Sequence, residues 1–250
     1  MVGNETTATK ASCGDTEPRQ RERRLPVTLF RIFLWFFFKL FYRSRWRYFE
    51  RVPKTGPVIL APSHASFYDP PFVNVPVWRR CHFFTRDKYF KPLLGRIIRY
   101  LGAFPVDLDR RFDAKAYDQA RQVLEDGGML ILFPEGTRSW DGRLGKIYGG
   151  VAALALETGA TIVPVSVCGA FEAWPRTRKY PRFCRRMWAV YHRPIPVEKT
   201  KDPTVRRQKT AEISSQIERL LARRLRGWEQ LLRKHNLHTV ERTSNSNPET

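Results

Sequence analysis

The fold class is decided by one stretch of the chain, Asp113-Ala-Lys-Ala-Tyr-Asp-Gln-Ala-Arg-Gln-Val-Leu-Glu-Asp-Gly-Gly-Met-Leu-Ile-Leu-Phe133. Its polar first part, Asp113–Glu125, has the pattern of a helix, and two glycines then end that pattern. The run that follows, Met129–Phe133, is short and entirely apolar, which is typical of a strand buried on both faces. A helix that leads through a tight turn into a buried strand is the repeating unit of a parallel sheet.

The same alternation continues on both sides of this stretch. Further strands are predicted at Pro57–Pro62, Cys81–Thr85, Ala103–Val106 and Thr161–Val167. Further helices are predicted at Lys88–Leu101, around Val151–Glu157 and from about Pro203 to Lys234. We therefore expect an α/β domain with a mostly parallel sheet flanked by helices, in which functional side chains gather beyond the carboxyl ends of the strands.

An apolar, aromatic segment, Leu25–Tyr42, lies near the start of the chain. It is interrupted by Arg31 and Lys39, whereas a spanning helix needs about 20 mostly apolar residues. Each basic residue at the centre of a span costs about 2.5–3.5 kcal/mol, so the pattern favours a helix that lies in the headgroup region of a membrane. The alternative is a core helix of a soluble domain.

Composition divides the chain into five segments. We predict a polar disordered tail at 1–24, a membrane-anchoring aromatic and basic helix at 25–48, the main domain at 49–200, a basic amphipathic helix at 201–238 and a second disordered tail at 239–250. The start of the chain lacks the pattern of a signal peptide. The four cysteines are widely separated, which argues against a zinc site or a disulfide framework and favours a reducing compartment.

The chain is strongly basic, with 45 Lys and Arg against 24 Asp and Glu and a net charge of +21. Its expected partners are therefore anionic: lipid surfaces, nucleic acid or phosphorylated substrates. Residues 174–186 alone carry six basic residues and no acidic one. Because no RNP, zinc-finger or bZIP pattern is present, specific nucleic-acid binding is not expected. A non-catalytic basic protein that binds membranes or nucleic acid stays the alternative of another class.

A histidine and an aspartate follow the predicted strand Pro57–Pro62. His64 and Asp69 are five positions apart, and a tight turn between them can bring the carboxylate to the imidazole. The prolines after Asp69 favour an extended backbone there. A histidine oriented by a carboxylate can act as a general base near neutral pH. Ser66 lies between the two and permits a Ser-His-Asp nucleophile as an alternative, although the G-x-S-x-G elbow is absent.

A second candidate cluster, Phe133-Pro-Glu-Gly-Thr-Arg138, follows the predicted strand Met129–Phe133. Gly136 lets the backbone approach a ligand closely, and the Thr137 hydroxyl and the Arg138 guanidinium suit phosphate oxygens. The spacing differs from that of a P-loop. Taken alone, the cluster is equally consistent with a turn whose Glu135 and Arg138 pair at the surface.

Together, the two clusters resemble the hallmarks of the 1-acylglycerol-3-phosphate (lysophosphatidic acid) acyltransferase family, which carries a His-x4-Asp motif and an FPEGTR block. His64 and Asp69 have the spacing of the first motif. Ile162-Val-Pro-Val165 is similar to the family's fourth block, and the resemblance covers about residues 30 to 200. It implies a glycerolphosphate-acyltransferase-like α/β fold.

The resemblance also implies a role for each candidate residue, with His64 as the general base and Asp69 as the group that orients it. It assigns binding of the substrate phosphate to Glu135, Gly136, Thr137, Arg138 and Arg110, and the acyl and acceptor pocket to Phe133, Pro134, Val163 and Pro164. In the family the earlier arginine directly follows a Val/Ile-Asp pair, whereas this chain has Leu108 after Asp107 and its first arginine there at Arg110.

The implied activity is transfer of a fatty acyl group to the hydroxyl of 1-acyl-sn-glycerol-3-phosphate, which gives phosphatidic acid in phospholipid biosynthesis. The acyl donor is acyl-CoA or acyl carrier protein, and we expect no metal and no further cofactor. The expected partners are the lysophospholipid acceptor, the donor and an anionic membrane surface, at the cytoplasmic face. Glycerol-3-phosphate, another lysophospholipid or a lyso-aminolipid stays open as the acceptor.

Overall fold

The apolar runs of the sequence form one sheet in the computed structural model, which describes residues 24–86, 90, 95, 102–106 and 113–244. The strands are β1 (Arg45–Arg47), β2 (Val58–Pro62), β3 (Cys81–Arg86), β4 (Ala103–Val106), β5 (Met129–Ile131), β6 (Thr161–Cys168) and β7 (Trp188–Tyr191). Over these residues the order is β1-β7-β6-β2-β5-β3-β4, and every pair except β6–β7 is parallel. The prediction of a mostly parallel sheet is confirmed.

The helices flank this sheet. They are α1 (Arg24–Tyr42), α2 (Asp69–Asn74), α3 (Ala114–Glu125), α4 (Gly150–Thr158), α5 (Ala170–Ala173) and α6 (Pro203–Ser244). Helix α3 begins where the sequence predicts, because the Asp113 side chain accepts a hydrogen bond from the Ala116 amide and caps the first turn. The predicted helix Lys88–Leu101 lies outside the described residues, apart from Phe90 and Gly95, as does the predicted tail before Arg24.

The central strand β2 is buried on both faces of the sheet. Val58 and Leu60 belong to a core that includes α1, while Ile59 and Ala61 belong to a second core with α3, α4 and α6. Because successive side chains of a strand point to opposite faces, burial on both faces requires the uninterrupted apolar run of the sequence. This packing holds the carboxyl end of β2 in a fixed place between β5 and β6.

The inner face of α1 is part of the domain. Phe38 is fully buried in the core. Arg31 Nη2 donates a hydrogen bond to the carbonyl of Arg79 at 3.1 Å, and Lys39 Nζ donates to that of Ser44 at 3.1 Å. Both basic residues that interrupt the apolar run are therefore bonded to backbone outside the helix.

The outer face of α1 is apolar and exposed. Leu29, Phe33, Phe36 and Leu40 are 61% to 76% exposed. Over the described residues, no helix combines the length and the apolar character that a bilayer span requires.

Two predicted segment boundaries are wrong. The predicted anchor 25–48 ends inside the sheet, because β1 pairs with β7 and Trp46 Nε1 donates to the carbonyl of Phe72 at 2.9 Å. The final helix does not end at Lys234 or at 238 but continues to Ser244, so it includes the first residues of the predicted tail. Between Lys234 and Pro248 the sequence has no glycine or proline that would stop the helix.

Candidate active site

The two predicted clusters meet at one edge of the sheet. Strands β2 and β5 are parallel neighbours, so the segments that leave their carboxyl ends lie side by side. His64 follows β2 by two residues, and Phe133–Arg138 follows β5. The fold therefore brings together residues that are about seventy positions apart in the chain.

His64 and Asp69 form a hydrogen-bonded pair. The distance from His64 Nδ1 to Asp69 Oδ2 is 2.9 Å, and the Asp69 side chain is fully buried while that of His64 is 15% exposed. The same carboxylate oxygen accepts hydrogen bonds from the backbone amides of Ala65 and Ser66, each at 2.7 Å. These donors fix the carboxylate, which in turn favours the tautomer with the proton on Nδ1 and leaves Nε2 as the basic nitrogen.

The backbone at Asp69 differs from the prediction. Asp69 is the first residue of helix α2 rather than extended, and prolines occupy the first turn of that helix. The first turn tolerates proline because its amide groups have no partner within the helix. The predicted turn between His64 and Asp69 is present, but it is the first turn of helix α2 that brings the Asp69 carboxylate to the imidazole.

The backbone of His64 is fixed by the turn that follows β5. Its amide donates to Glu135 Oε1 at 2.7 Å, and its carbonyl accepts from the amide of Ser139 at 2.8 Å. The His64 ring stacks on the ring of Phe133, with 3.7 Å between centroids and 18° between planes. The second cluster thus sets both the main chain and the ring orientation of the histidine.

Glu135 has a positioning role in the structure, which differs from the predicted contact with phosphate. Its other carboxylate oxygen, Oε2, accepts from the amide of Gly145 at 2.8 Å, and the residue is buried. A side chain at Gly145 would approach Oε2 to 3.1 Å, so a glycine suits this close contact. Burial raises the pKa of Glu135 to about 7, with a further contribution from the nearby charge of Asp69, although its two backbone hydrogen bonds favour the ionised form.

The remaining residues of the second cluster form an open turn. Gly136 has a φ of 66°, a left-handed conformation that glycine adopts without strain, and Gly136 and Thr137 are exposed. The guanidinium carbon of Arg138 lies 3.6 Å from the centroid of the Phe67 ring. Because Phe67 belongs to the loop between His64 and Asp69, Arg138 lies beside this pair. The arrangement places a guanidinium group and a hydroxyl in the turn that adjoins His64.

Ser66 is not placed as a nucleophile. Its side chain is fully buried, and its hydroxyl donates to the carbonyl of Trp174 at 2.8 Å and accepts from the amide of Tyr68 at 3.2 Å. The ring of His64 is bonded to Asp69 instead. The geometry therefore favours the histidine as a base that acts on a substrate.

Three other predicted site residues lie inside the protein, and one lies outside the described part. Pro134 is buried, and Val163 and Pro164 are buried in β6, where they pair in register with Leu60 and Ala61 of β2. Val163 and Pro164 support the strand that precedes His64, and the role of all three residues in an acyl pocket stays a prediction. Arg110 lies outside the described residues.

Two residues of the basic segment 174–186 reach the site without having been predicted there. The carbonyl of Trp174 binds the Ser66 hydroxyl, and Arg176 donates to the carbonyl of Arg138 at 2.9 Å. Their position could have been predicted from the order of the strands. The segment comes after β6 in the chain, and the carboxyl end of β6 lies at the same edge of the sheet as those of β2 and β5. Among the described residues, no three His, Cys, Asp or Glu side chains are grouped so that they could hold a metal ion.

Comparison with known proteins gives several relatives that are named as 1-acyl-sn-glycerol-3-phosphate acyltransferases. The chain is 27% identical over 158 residues to a chloroplastic 1-acyl-sn-glycerol-3-phosphate acyltransferase of Arabidopsis thaliana, which covers 62% of this chain and 44% of that protein. It is 30% identical over 138 residues to a 1-acyl-sn-glycerol-3-phosphate acyltransferase of Pseudomonas aeruginosa, which covers 53% of this chain and 52% of that protein. The chain thus spans about half the length of these relatives.

A solved structure shares the fold. It is the 1-acyl-sn-glycerophosphate (LPA) acyltransferase PlsC of Thermotoga maritima, with a TM-score of 0.67 and 23% sequence identity over 86% of this chain and 83% of that one. The family model described as Acyltransferase matches residues 43–168, which hold both clusters and the strands that carry them. The chain therefore belongs to the acyltransferase family.

Proposed function

We propose that this protein is an O-acyltransferase that moves a fatty acyl group from an acyl thioester to the free hydroxyl of 1-acyl-sn-glycerol-3-phosphate, with phosphatidic acid as the product. The observation that carries the proposal is the His64–Asp69 pair, at 2.9 Å, set beside the turn that holds Thr137 and Arg138. The names of the relatives support this acceptor. The donor is acyl-CoA or acyl carrier protein.

The proposed chemistry is direct transfer. His64 Nε2 removes the proton of the acceptor hydroxyl as its oxygen attacks the carbonyl carbon of the thioester. The carbon–sulfur bond then breaks, and the thiolate takes up the proton from the imidazolium. Asp69 stabilises that imidazolium through Nδ1. A thioester is already activated and an aligned hydroxyl supplies proximity, so the proposal needs no acyl-enzyme, metal or further cofactor.

In the proposal, the acceptor's phosphate is bound at the turn after β5. A guanidinium fork and a hydroxyl match phosphate oxygens, and the exposed backbone of Gly136 permits close approach. Arg138 and Thr137 are therefore the proposed contacts. Glu135 stabilises this site by accepting hydrogen bonds from the backbone amides of His64 and Gly145.

The activity is tested with the purified full chain and a panel of acceptors in mixed vesicles. Radiolabelled acyl-CoA and acyl carrier protein are each offered with 1-acyl-sn-glycerol-3-phosphate, glycerol-3-phosphate, other lysophospholipids and a lyso-aminolipid. We expect phosphatidic acid as the main labelled product on thin-layer plates. A faster reaction with another acceptor would contradict the proposed substrate, and no labelled lipid with any acceptor would contradict the activity.

We also propose that the protein works on the surface of an anionic membrane, on the cytoplasmic leaflet. The outer face of α1 is apolar, and at its end Phe41 contacts the ring of Phe183 at 5.3 Å, within the basic segment 174–186. The same segment carries exposed basic side chains, among them Lys179, Arg182, Arg185 and Arg186. Each basic residue near an anionic surface contributes about 1 kcal/mol to binding.

A further inference from the structure

Arg176 is built into the rim of the candidate active site. Its guanidinium carbon lies 3.5 Å from the centroid of the Trp140 ring, a stacked position that fixes the plane of the fork. Its Nη1 donates to the carbonyl of Arg138 at 2.9 Å and to the hydroxyl of Thr137 at 3.4 Å. The side chain thus touches the two residues that the proposed function assigns to the acceptor's phosphate.

The guanidinium group of Arg176 forms hydrogen bonds within the described part of the protein through only one of its three nitrogen atoms. Over the described residues, the hydrogen bonds of Arg176 come from Nη1, so Nη2 and Nε are the donors that remain for a ligand. The side chain is half-buried, and the neighbouring Thr137 is exposed. No described carboxylate pairs with Arg176, which keeps its charge available to an anion.

We propose that Arg176 is a second phosphate-binding arginine of this site and acts together with Thr137 and Arg138. The inference rests on the proposed function, and it names a residue outside both sequence clusters. An arginine stacked on an aromatic ring is ordered before the ligand arrives, so less side-chain entropy is lost on binding. A phosphate monoester carries up to two negative charges and three acceptor oxygens, which two guanidinium groups match better than one.

The same phosphate chemistry is present in the lipid acceptor and in the nucleotide part of acyl-CoA. The contacts of Arg176 with Thr137 and Arg138 favour the acceptor. The experiment therefore measures kcat and the KM of each substrate separately. The variants are Arg176→Gln, which removes the charge, and Arg176→Lys, which keeps it without the fork. The matched control is Arg143→Gln, an exposed arginine that interacts with Asp141.

We expect Arg176→Gln to raise the acceptor KM about ten- to hundredfold, the usual range for a hydrogen bond to a charged group, with kcat changed less than about threefold. Arg176→Lys should lie between this variant and the unaltered protein, and Arg143→Gln should match the unaltered protein. The acceptor KM of the unaltered protein should also rise as the pH falls through about 6, where a phosphate monoester takes up a proton. The rise of the acceptor KM at low pH should be weaker in Arg176→Gln. A purely structural role of Arg176 would leave this pH dependence unchanged.

The outcomes separate the possible explanations. A rise in the donor KM alone assigns the arginine to the phosphates of acyl-CoA. A fall in kcat with both KM values unchanged, or no change at all, overturns the proposal. Calorimetric titration with sn-glycerol-3-phosphate is run on the same variants. It tests phosphate binding even if the unaltered protein transfers no acyl group, so failure of the proposed function and failure of this inference are distinguishable.

Discussion

The carboxylate of Glu135 accepts a hydrogen bond from the backbone amide of His64 at 2.7 Å. Its second oxygen holds the amide of Gly145, so one buried side chain joins three loops. A carboxylate that pointed towards the bound phosphate would repel it, although Glu135 belongs to the block that is expected to bind phosphate. The structure removes this difficulty, because Glu135 faces backbone donors and acts on the histidine through the main chain.

Replacement of Glu135 by alanine should lower kcat about 10- to 100-fold. The substitution removes both acceptors, so the His64 amide loses its anchor, and small displacements of a reacting group carry costs of this size. The KM values should change less, since Arg138 and Thr137 remain. Steady-state kinetics of Glu135→Ala are compared with those of Glu212→Ala, an exposed position on α6. Equal kcat values for the two variants would show that the link is dispensable.

The folding stability should carry a pH dependence that belongs to Glu135. Burial raises the pKa of this carboxyl from its ordinary 4.5 to about 7. Between these values the folded protein keeps a proton that the unfolded chain has lost. The group therefore contributes stability that is fully present below about 4.5 and is lost as the pH rises through about 7, by about 3 kcal/mol in total.

Urea unfolding of the unaltered protein and of Glu135→Gln, which cannot ionise, measures this contribution. The difference in free energy of unfolding between the two should fall steadily from pH 4.5 to pH 7 and then level off. A difference that is constant over this range would mean that the carboxyl keeps its ordinary pKa.

Removal of the proposed base should abolish most of the catalytic rate. A general base contributes about 10²–10⁴-fold, and it acts on the transition state. His64→Ala should therefore lower kcat by that factor with little change in the acceptor KM. Intact-mass measurement during turnover of the unaltered protein should show no acyl adduct. An acyl adduct on Ser66 would contradict direct transfer and would show that the reaction uses a serine nucleophile.

Asp69→Asn should also lower kcat while the protein stays folded. The amide cannot stabilise an imidazolium as a carboxylate does, and its NH2 group favours the wrong tautomer of His64. In the other orientation of the amide, its single uncharged oxygen has to accept from all three donors that now share Oδ2. We expect a loss of at least about 100-fold in kcat, measured beside the thermal unfolding of both proteins. Unchanged kcat would remove Asp69 from the mechanism.

The sequence predicts the sheet and the His64–Asp69 pair because both depend on short-range patterns. Apolar runs such as Val58–Pro62 are recognisable as buried strands from the local sequence alone. Because β2 and β5 are parallel neighbours, the segments that carry His64 and Arg138 leave the sheet at the same edge. The residues that the sequence does not predict are positioned by long-range contacts. Trp174 and Arg176 reach the site through hydrogen bonds that span 108 and 38 positions.

The N-terminal segment shows a different limit of sequence analysis. Membrane-surface and core interpretations are alternatives in the sequence, whereas the structure gives α1 a buried inner face and an apolar outer face. The burial of Phe38 and Tyr42 depends on tertiary packing that hydropathy does not encode. Deletion of the whole segment would therefore damage the domain, and its membrane role has to be tested on the outer face.

Charge placed on that outer face should weaken membrane binding without unfolding the protein. Phe33 and Phe36 are each 61% exposed, so glutamate at these positions costs the fold little. Burial of an aromatic side chain in the lipid interface contributes about 1.5–3 kcal/mol, so each substitution should weaken vesicle binding about tenfold or more. Co-sedimentation with vesicles that contain anionic lipid measures the change, and Leu231→Glu, an exposed position on α6 at 52%, is the control. If Phe33→Glu and Phe36→Glu bind these vesicles as tightly as the control, α1 does not face the membrane.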